Sequence, residues 1–585
     1  MSTPAAPTIE PAAPDADAPA APAAKSFLRH AKLIGGLTLL SRLVGLVREM
    51  VAAHYLGAGV VANAFRFAFM IPNLFRKLLG EGALSAAFIP LYAQANERGT
   101  TETGEPAADF AAASVNLLTG ILIAVTLVGE AVLLAAILAV PGDRADRVLM
   151  LKFAAVMLPY VLLVCGGAFL SAILQVHRRF GAPAFAPVLL NVCHIAVLAG
   201  GAWFLGLRGN APQTPPVVAL QTKLAFALAV AVLVAGALQV AILLPALRAV
   251  GFRFRPGVRA WTPAVRKMLV LSIPVAIGAG VLQLSVLCDK GISYALMQGV
   301  DRDGNLVTHF RWFGQALRYP MEHGAITRLD LAQLLYQFPL GVFAIALATA
   351  IFPSLSAEAL GRDRDGFKRV LRQGIEASLW EGLPASVGLI LVAEPAARLL
   401  FQHGQITAHD AGLVARSTMW YAGAVWAFSM LQIVNRAYYA LHDTWTPLVM
   451  SAVNLVLNLV VELPLLWWLG EPAMAVGTLV SFSVQAVVML WMLDRRVGGL
   501  GLRHSAGPVG KMLLATAVMG LACWALRASP LYPSSEGRAA WAGQLLLIAG
   551  CGAAVYLVAC QLLGLDFLRV LRRRRKGAAP GKPEQ

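Results

Sequence analysis

Arg42, Arg48, Arg76, Lys77 and Glu81 lie inside long apolar stretches near the start of the chain. A charge at the centre of a bilayer costs about 2.5–3.5 kcal/mol on insertion scales. Residues that costly point to a water-filled cavity and to an anion gripped within it. Residues 40–50 read LSRLVGLVREM. At 100° per residue, Arg42 and Glu49 share nearly one helix face, Arg48 adjoins Glu49, and Gly45 on the same side permits close backbone approach. The plainer alternative is a local Arg48–Glu49 pair, with Arg42 reaching the membrane interface along its apolar stem.

The next stretch holds Asn63 and then PNLFRKLLGEGA over residues 72–83. Lys77 and Glu81 are four apart and can pair on one helix. Arg76 has no carboxylate three or four positions away, which makes it the better ligand candidate. Guanidinium forks match phosphate oxygens two at a time. Several arginines converging on a cavity would therefore hold a diphosphate or a comparable anion.

A second constellation is neutral and acidic. Asp289, Asn454, Asn458 and Thr478 offer oxygens, with the two asparagines on one face of a helix. Hard cations such as sodium take such ligands. The alternative is that the asparagines bridge helices and Asp289 pairs with Lys290. Other chemistries find little support. There is no phosphate-binding Gly-x-x-x-x-Gly-Lys loop and no His-Glu-x-x-His motif, so neither direct ATP use nor a zinc peptidase is indicated. The six cysteines form no Cys-x-x-Cys pair and read as small apolar packing residues. His177 and His442 read as structural. A membrane glycosyltransferase would need acidic residues near a loop, for which Asp301 and Asp303 are the weak candidates.

These residues are positioned by membrane helices. Of 585 residues, 58% are hydrophobic and 14% charged, with mean hydropathy +0.68; a soluble chain carries about 25% charged residues. The expected fold is an all-α polytopic membrane protein with about fourteen transmembrane helices. The spans read 31–56, 61–95, 108–140, 148–176, 184–207, 216–247, 264–297, 328–357, 368–400, 411–440, 445–469, 473–494, 508–527 and 541–564. The net charge of +17 does not point to nucleic acid, because the basic residues cluster in alternate loops. Arg248–Lys267, Arg362–Arg372 and Arg572–Lys576 fall on one side of an alternating topology, so both termini are expected in the cytoplasm. Residues 1–24, rich in Ala, Pro and Asp, read as a disordered tail.

The chain also repeats itself. Ile71-Pro72 matches Phe338-Pro339, Pro90 matches Pro353, and His177, Pro183 and Asn191 match His442, Pro447 and Asn454. The offsets of 263–267 residues imply two parallel six-helix lobes about a central cavity. The lobes are assigned to 25–250 and 251–500, with a polar insertion at 298–327 that is either a flexible excursion or a surface helix. Spans 13 and 14 (501–570) lie outside the repeat, and 571–585 form a basic tail.

Residues 40–95 resemble the signature of the MurJ (MviN) lipid II flippases, in the multidrug/oligosaccharidyl-lipid/polysaccharide exporter superfamily. The resemblance is carried by SRLVG (41–45), Arg48-Glu49, LGAG (56–59), PNLFRK (72–77) and EGALSAAFIP (81–90), and supported by Arg179-Phe180, PAFAP (183–187), FPSLS (352–356) and LFQHG (400–404) with Thr407. It implies a transporter of the bacterial inner membrane, not an enzyme, that moves lipid-linked peptidoglycan precursor outward by alternating access. It also implies sodium or protons as coupling ion, the cell-wall synthesis machinery as a partner, and a groove on spans 13 and 14 for the lipid tail. By the resemblance Arg42, Arg48 and Arg76 line the cavity and the acid at Glu81 supports function. The alternatives are a flippase for another polyprenyl-linked glycan or an ion-coupled exporter. Two positions depart from the family: Asn63 stands where an Asp is common, and Leu334 where an Arg is common. Arg328 or Lys290 would have to replace that cation.

Overall fold

Backbone N–H and C=O groups find no water inside a bilayer, so long apolar runs satisfy them by folding as helices. The computed structural model describes residues 21–80, 83–140, 144–361 and 363–565. The first repeat comprises α1 (Ala21–Leu56), α2 (Val60–Phe75), α3 (Ala83–Arg98), α4 (Ala107–Ala139), α5 (Ala145–Met157), α6 (Tyr160–Val176), α7 (Gly181–Phe204) and α8 (Pro215–Ala249). The second comprises α9 (Pro263–Ala295), α10 (Ala325–Pro339), α11 (Ile345–Leu360), α12 (Arg364–Phe401), α13 (Ala408–Gly423), α14 (Val425–Ala440), α15 (Trp445–Leu469) and α16 (Pro472–Arg496). The last two helices, α17 (Leu502–Arg527) and α18 (Arg538–Leu562), pack on each other and on α12.

Among the described residues nine helices are long and apolar enough to cross a membrane, and α5–α6, bent by 43°, makes a tenth. Length and composition thus recognise ten of the fourteen expected spans. Of the others, α2–α3 and α10–α11 are interrupted by π-helical turns and α13–α14 by a break at Ala424, while α1 is one continuous helix that carries Arg42, Arg48 and Glu49. Exposed Trp203 and Phe204 end α7, and exposed Trp467 and Trp468 end α15. Such rings sit at a membrane–water boundary.

The repeat is visible in backbone detail. The two π-helical turns, Arg76–Gly80 and Leu340–Ala344, begin 264 positions apart. Arg178 and His442, non-glycine residues with φ of 57° and 56°, are also 264 apart, each just past the end of its helix. Pro72 and Pro339 are not structural equivalents. Pro339 directly precedes its π-helical turn, whereas Pro72 lies inside α2, nearly one helical turn earlier.

Packing between the repeats is not a clean division. Ala264, Val265 and Met268 at the start of α9 belong to the core of the first repeat, while Tyr294 and Met297 at its other end belong to the core of the second.

The insertion is neither a helix nor an extended excursion. It forms two antiparallel ribbons: β1 (Gly299–Val300) with β2 (Leu306–Val307), and β3 (His309–Trp312) with β4 (Gln315–Arg318). Phe313 and Gly314 join β3 to β4 with φ of 46° and 83°, the positive pair that a two-residue hairpin turn requires. Asp301 and Asp303 are not a catalytic pair. Asp301 Oδ1 accepts from the backbone N–H groups of Asp303 and Asn305 at 2.9 and 2.8 Å and so shapes its own turn.

Arg328 is almost fully buried at the start of α10. It donates to both oxygens of Glu471 at 2.7–3.0 Å and to Asp410 at 2.9 Å. It therefore ties three helix ends of the second repeat together and does not supply the cation absent at Leu334. Removing one partner of a buried ion pair strands the other charge, at a cost of about 3–5 kcal/mol. Arg328→Met should lower unfolding stability in detergent by about that amount, and pairing it with Glu471→Gln should recover part of the loss. A single variant that unfolds like the parent would remove this triad from the supports of the fold.

Candidate functional site

A cavity of about 1630 Å³ lies between the repeats. The first repeat lines it with Arg42, Arg48, Glu49, Arg66, Arg76 and Lys77, and the second with Lys290, Asp330, Gln333 and Gln337. Six cations face two carboxylates among the described lining residues. Five of the six come from the first repeat, so that wall carries the positive field and the other is nearly neutral. Low-dielectric walls focus such a field on a mobile anion.

Local folding explains how the cations reach the cavity. A π-helical turn widens the helix by one residue and reorients the residues after it, a device often found at functional sites. The first carries Arg76 and Lys77 at its start, and Gly80 packs against Cys165 and Ala168 of α6. The second brings Gly341 against Arg42: a Cβ at 341 would overlap the guanidinium. In α1, Arg48 donates to Asn191 Oδ1 of α7 at 3.0 Å and pairs with Glu49 at 2.5 Å. Asn191 in turn donates to the Ser41 carbonyl at 3.2 Å, fixing Arg48 against the α1 backbone.

Arg66 was not singled out by sequence reasoning. It pairs with Glu49 at 2.6 Å and with Asp330 at 3.6 Å, and Asp330 also takes Lys290. Lys290 and Arg66, not Arg328, are the cations near Leu334. The one sequence signal was a charge at position 66 within an apolar run.

Asn63 does not line the cavity. It is fully buried, and its Oδ1 accepts from the backbone N–H and hydroxyl of Thr327 at 3.1 and 2.8 Å. This contact belongs to a seal between the repeats. Gln405 N–H donates to the His54 carbonyl at 3.1 Å, and the Gln405 side chain donates to Ala211 O at 2.8 Å and takes a bond from Gln213. Arg144, buried against Asp146, donates to Tyr319 at 2.6 Å, and Tyr294 donates to the Asp146 carbonyl at 3.0 Å. The insertion is thereby strapped to the first repeat. Two glycines make the approach possible: a Cβ at Gly57 would meet Gln405 at 2.7 Å, and one at Gly324 would collide with the Ala58 carbonyl, both at positive φ. Glu81 lies outside the described residues.

Of the expected cation ligands, the structure joins two. Asn458 Nδ2 donates to Asp289 at 3.0 Å and to Glu462, one turn along α15, at 3.0 Å. Thr478 instead donates to the Met474 carbonyl, and among the described residues no bond links Asn454 to the pair. Glu462 was missed in the sequence, although it stands four positions past Asn458 on the same face. Asn458 Oδ1 and Glu462 Oε1 are buried acceptors without a protein partner among the described residues. Two carboxylates buried on one amide need a compensating charge, and unspent oxygens suit a small hard cation. Among the described residues no group of three or more His, Cys, Asp or Glu side chains could hold a metal, so any cation would rely on the amide.

A family model described as "Lipid II flippase MurJ" matches residues 52–532. A probable lipid II flippase MurJ of Rhizobium meliloti (strain 1021) is 29% identical, over 96% of this chain and 98% of its own length. One of Rhizobium tropici is 31% identical over 95% and 98%. A solved structure of "Lipid II flippase MurJ, inward closed conformation" aligns with a TM-score of 0.67 at 19% identity, covering 92% of this chain and 99% of that one. An inward-facing multidrug resistance MATE family transporter aligns at 0.60 and 13% identity, covering 80% and 98%; both likenesses speak to fold. With a family match across most of its length and a cation-lined cavity between two repeats, this chain belongs to the MurJ family of lipid II flippases.

Proposed function

We propose that this multi-pass membrane protein carries lipid II, a polyprenyl-diphosphate-linked peptidoglycan precursor, from the cytoplasmic to the outer leaflet by alternating access. The observation that carries the reading is the cation excess of the cavity between the repeats. A diphosphate neutralises that excess, whereas a cationic drug would meet repulsion. Arg42, Arg48, Arg76 and Lys77 hold the diphosphate, and Glu49 orients Arg48 toward it. The glutamines of the opposite wall suit uncharged sugar and peptide groups.

By the loop-charge reading the termini are cytoplasmic, which puts the sealed end at the outer face and the conformation on the inward side of the cycle. The coupling charge is a sodium ion or a proton held by Asp289, Asn458 and Glu462. Such an ion neutralises a pair of carboxylates that would otherwise repel, and so favours whichever lobe arrangement brings them together.

In cells depleted of the protein, lipid II should stay inaccessible to reagents added from outside; normal access would overturn the reading. Arg76→Ala should fail to complement such a depletion, while Arg364→Ala, at the exposed start of α12, should complement fully. Glu462→Gln should leave binding of a polyprenyl diphosphate intact but abolish the sodium or proton dependence of transport in proteoliposomes. An unchanged ion dependence would dismiss the α15 carboxylate as the coupling site.

A further inference from the structure

Arg66 stands at the centre of a chain of alternating charge. Arg48 pairs with Glu49, Glu49 with Arg66, Arg66 with Asp330, and Asp330 with Lys290. The first three residues belong to α1 and α2, the last two to α9 and α10. The chain therefore crosses from one repeat to the other at a single pair, Arg66–Asp330, which at 3.6 Å is its longest link. That pair lies one helical turn inside the Asn63–Thr327 seal, between the seal and the body of the cavity, and all five side chains are mostly buried.

The charge count on each side of this link decides what happens when it breaks. Asp330 and Lys290 form a neutral pair and strand nothing. Arg48, Glu49 and Arg66 are left with one excess positive charge in a low-dielectric site, which is unfavourable unless an anion compensates it. A diphosphate in the cavity is such an anion, and the guanidinium fork of Arg66 can engage it in place of Asp330.

We infer that Arg66 is the positioning residue through which the cargo controls the sealed end. With the cavity empty, Asp330 holds Arg66 and the repeats stay latched. When a diphosphate binds Arg48 and Arg66, the pair to Asp330 is exchanged for pairs to phosphate oxygens, and the seal loses its ionic layer. The empty carrier is thus kept from opening, and the loaded one is released. This inference rests on the diphosphate reading of the cargo.

The test uses the full chain in sealed proteoliposomes, inserted with the sealed end outward and labelled only from outside, its six cysteines replaced by alanine, with Ala62→Cys as a reporter. Ala62 is buried and lines the cavity beside Asn63. The readout is its rate of reaction with a bulky, charged maleimide too large to pass a closed seal. Adding a polyprenyl diphosphate should raise the rate by about 5–150-fold, the usual span of a coupled equilibrium. Asp330→Asn should raise it to a similar level without ligand, with little further gain on adding it. Asp330→Glu, which keeps the carboxylate between Arg66 and Lys290, should label as slowly as the parent without ligand and respond to it, which a merely misfolded variant would not do. Labelling of Asp330→Asn at the parent's rate overturns the inference. So does a parent that binds radiolabelled polyprenyl diphosphate without faster labelling, an outcome that leaves the cargo reading standing. Absence of binding to the parent would instead overturn the cargo reading, and the inference with it.

Discussion

The structure depends on an excess of cationic over acidic side chains, among the described residues, being held between two apolar bundles. Six cations and two carboxylates face one cavity among the described lining residues. Arg328, between Glu471 and Asp410, shows the opposite arrangement. The contrast separates two uses of arginine. At Arg328 the guanidinium is fully enclosed by carboxylates of its own repeat and serves the fold. At Arg48 and Arg66 it is shared among groups that leave one positive charge over, and a mobile anion can complete the set.

The repeat explains why such a cavity exists where it does. Each half contributes a helix broken by a π-helical turn, and both turns border the same space. The sequences at the two turns have diverged in opposite senses. The first begins with Arg76 and Lys77 and is cationic; the second is Leu340–Ala344 and is apolar, with a glycine that admits the side chain of Arg42. One backbone device, duplicated, thus yields a charged wall and a neutral wall. A symmetric pair of cationic walls would repel across the gap and would lack a surface for uncharged groups.

Much of this was legible in the sequence, for reasons that can be named. Buried charge within apolar runs is rare enough that Arg42, Arg48, Arg76, Lys77 and Glu81 are expected on one cavity; the four cations line it, and Glu81 lies outside the described residues. Asn63 was legible as a polar residue inside an apolar run but not as a contact across the interface, because its partner lies 264 positions away. The hairpin of the insertion had a local signal, glycines at 304 and 314 in turn positions, that was outweighed by the expectation of an all-helical chain. Glu462 was hidden by its surroundings: an acid near the end of a span reads as an interface residue until the helix shows it one turn from Asn458.

Leu334 shows how a site can keep its character while its residues change. The arginine that the family resemblance implies there would add a cation from the second repeat. Here the second repeat has Lys290 on α9 instead, and Asp330 beside it cancels that charge. A positive charge stands on the other side of the gap as Arg66, in reach of the same carboxylate. Charge is thus weighted from the second wall to the first, and the carboxylate between them supplies an ionic link between the repeats. Field strength in a cavity depends on the sum of charges and their distances, not on which helix bears them, so such an exchange preserves attraction for an anion while altering what holds the two halves together.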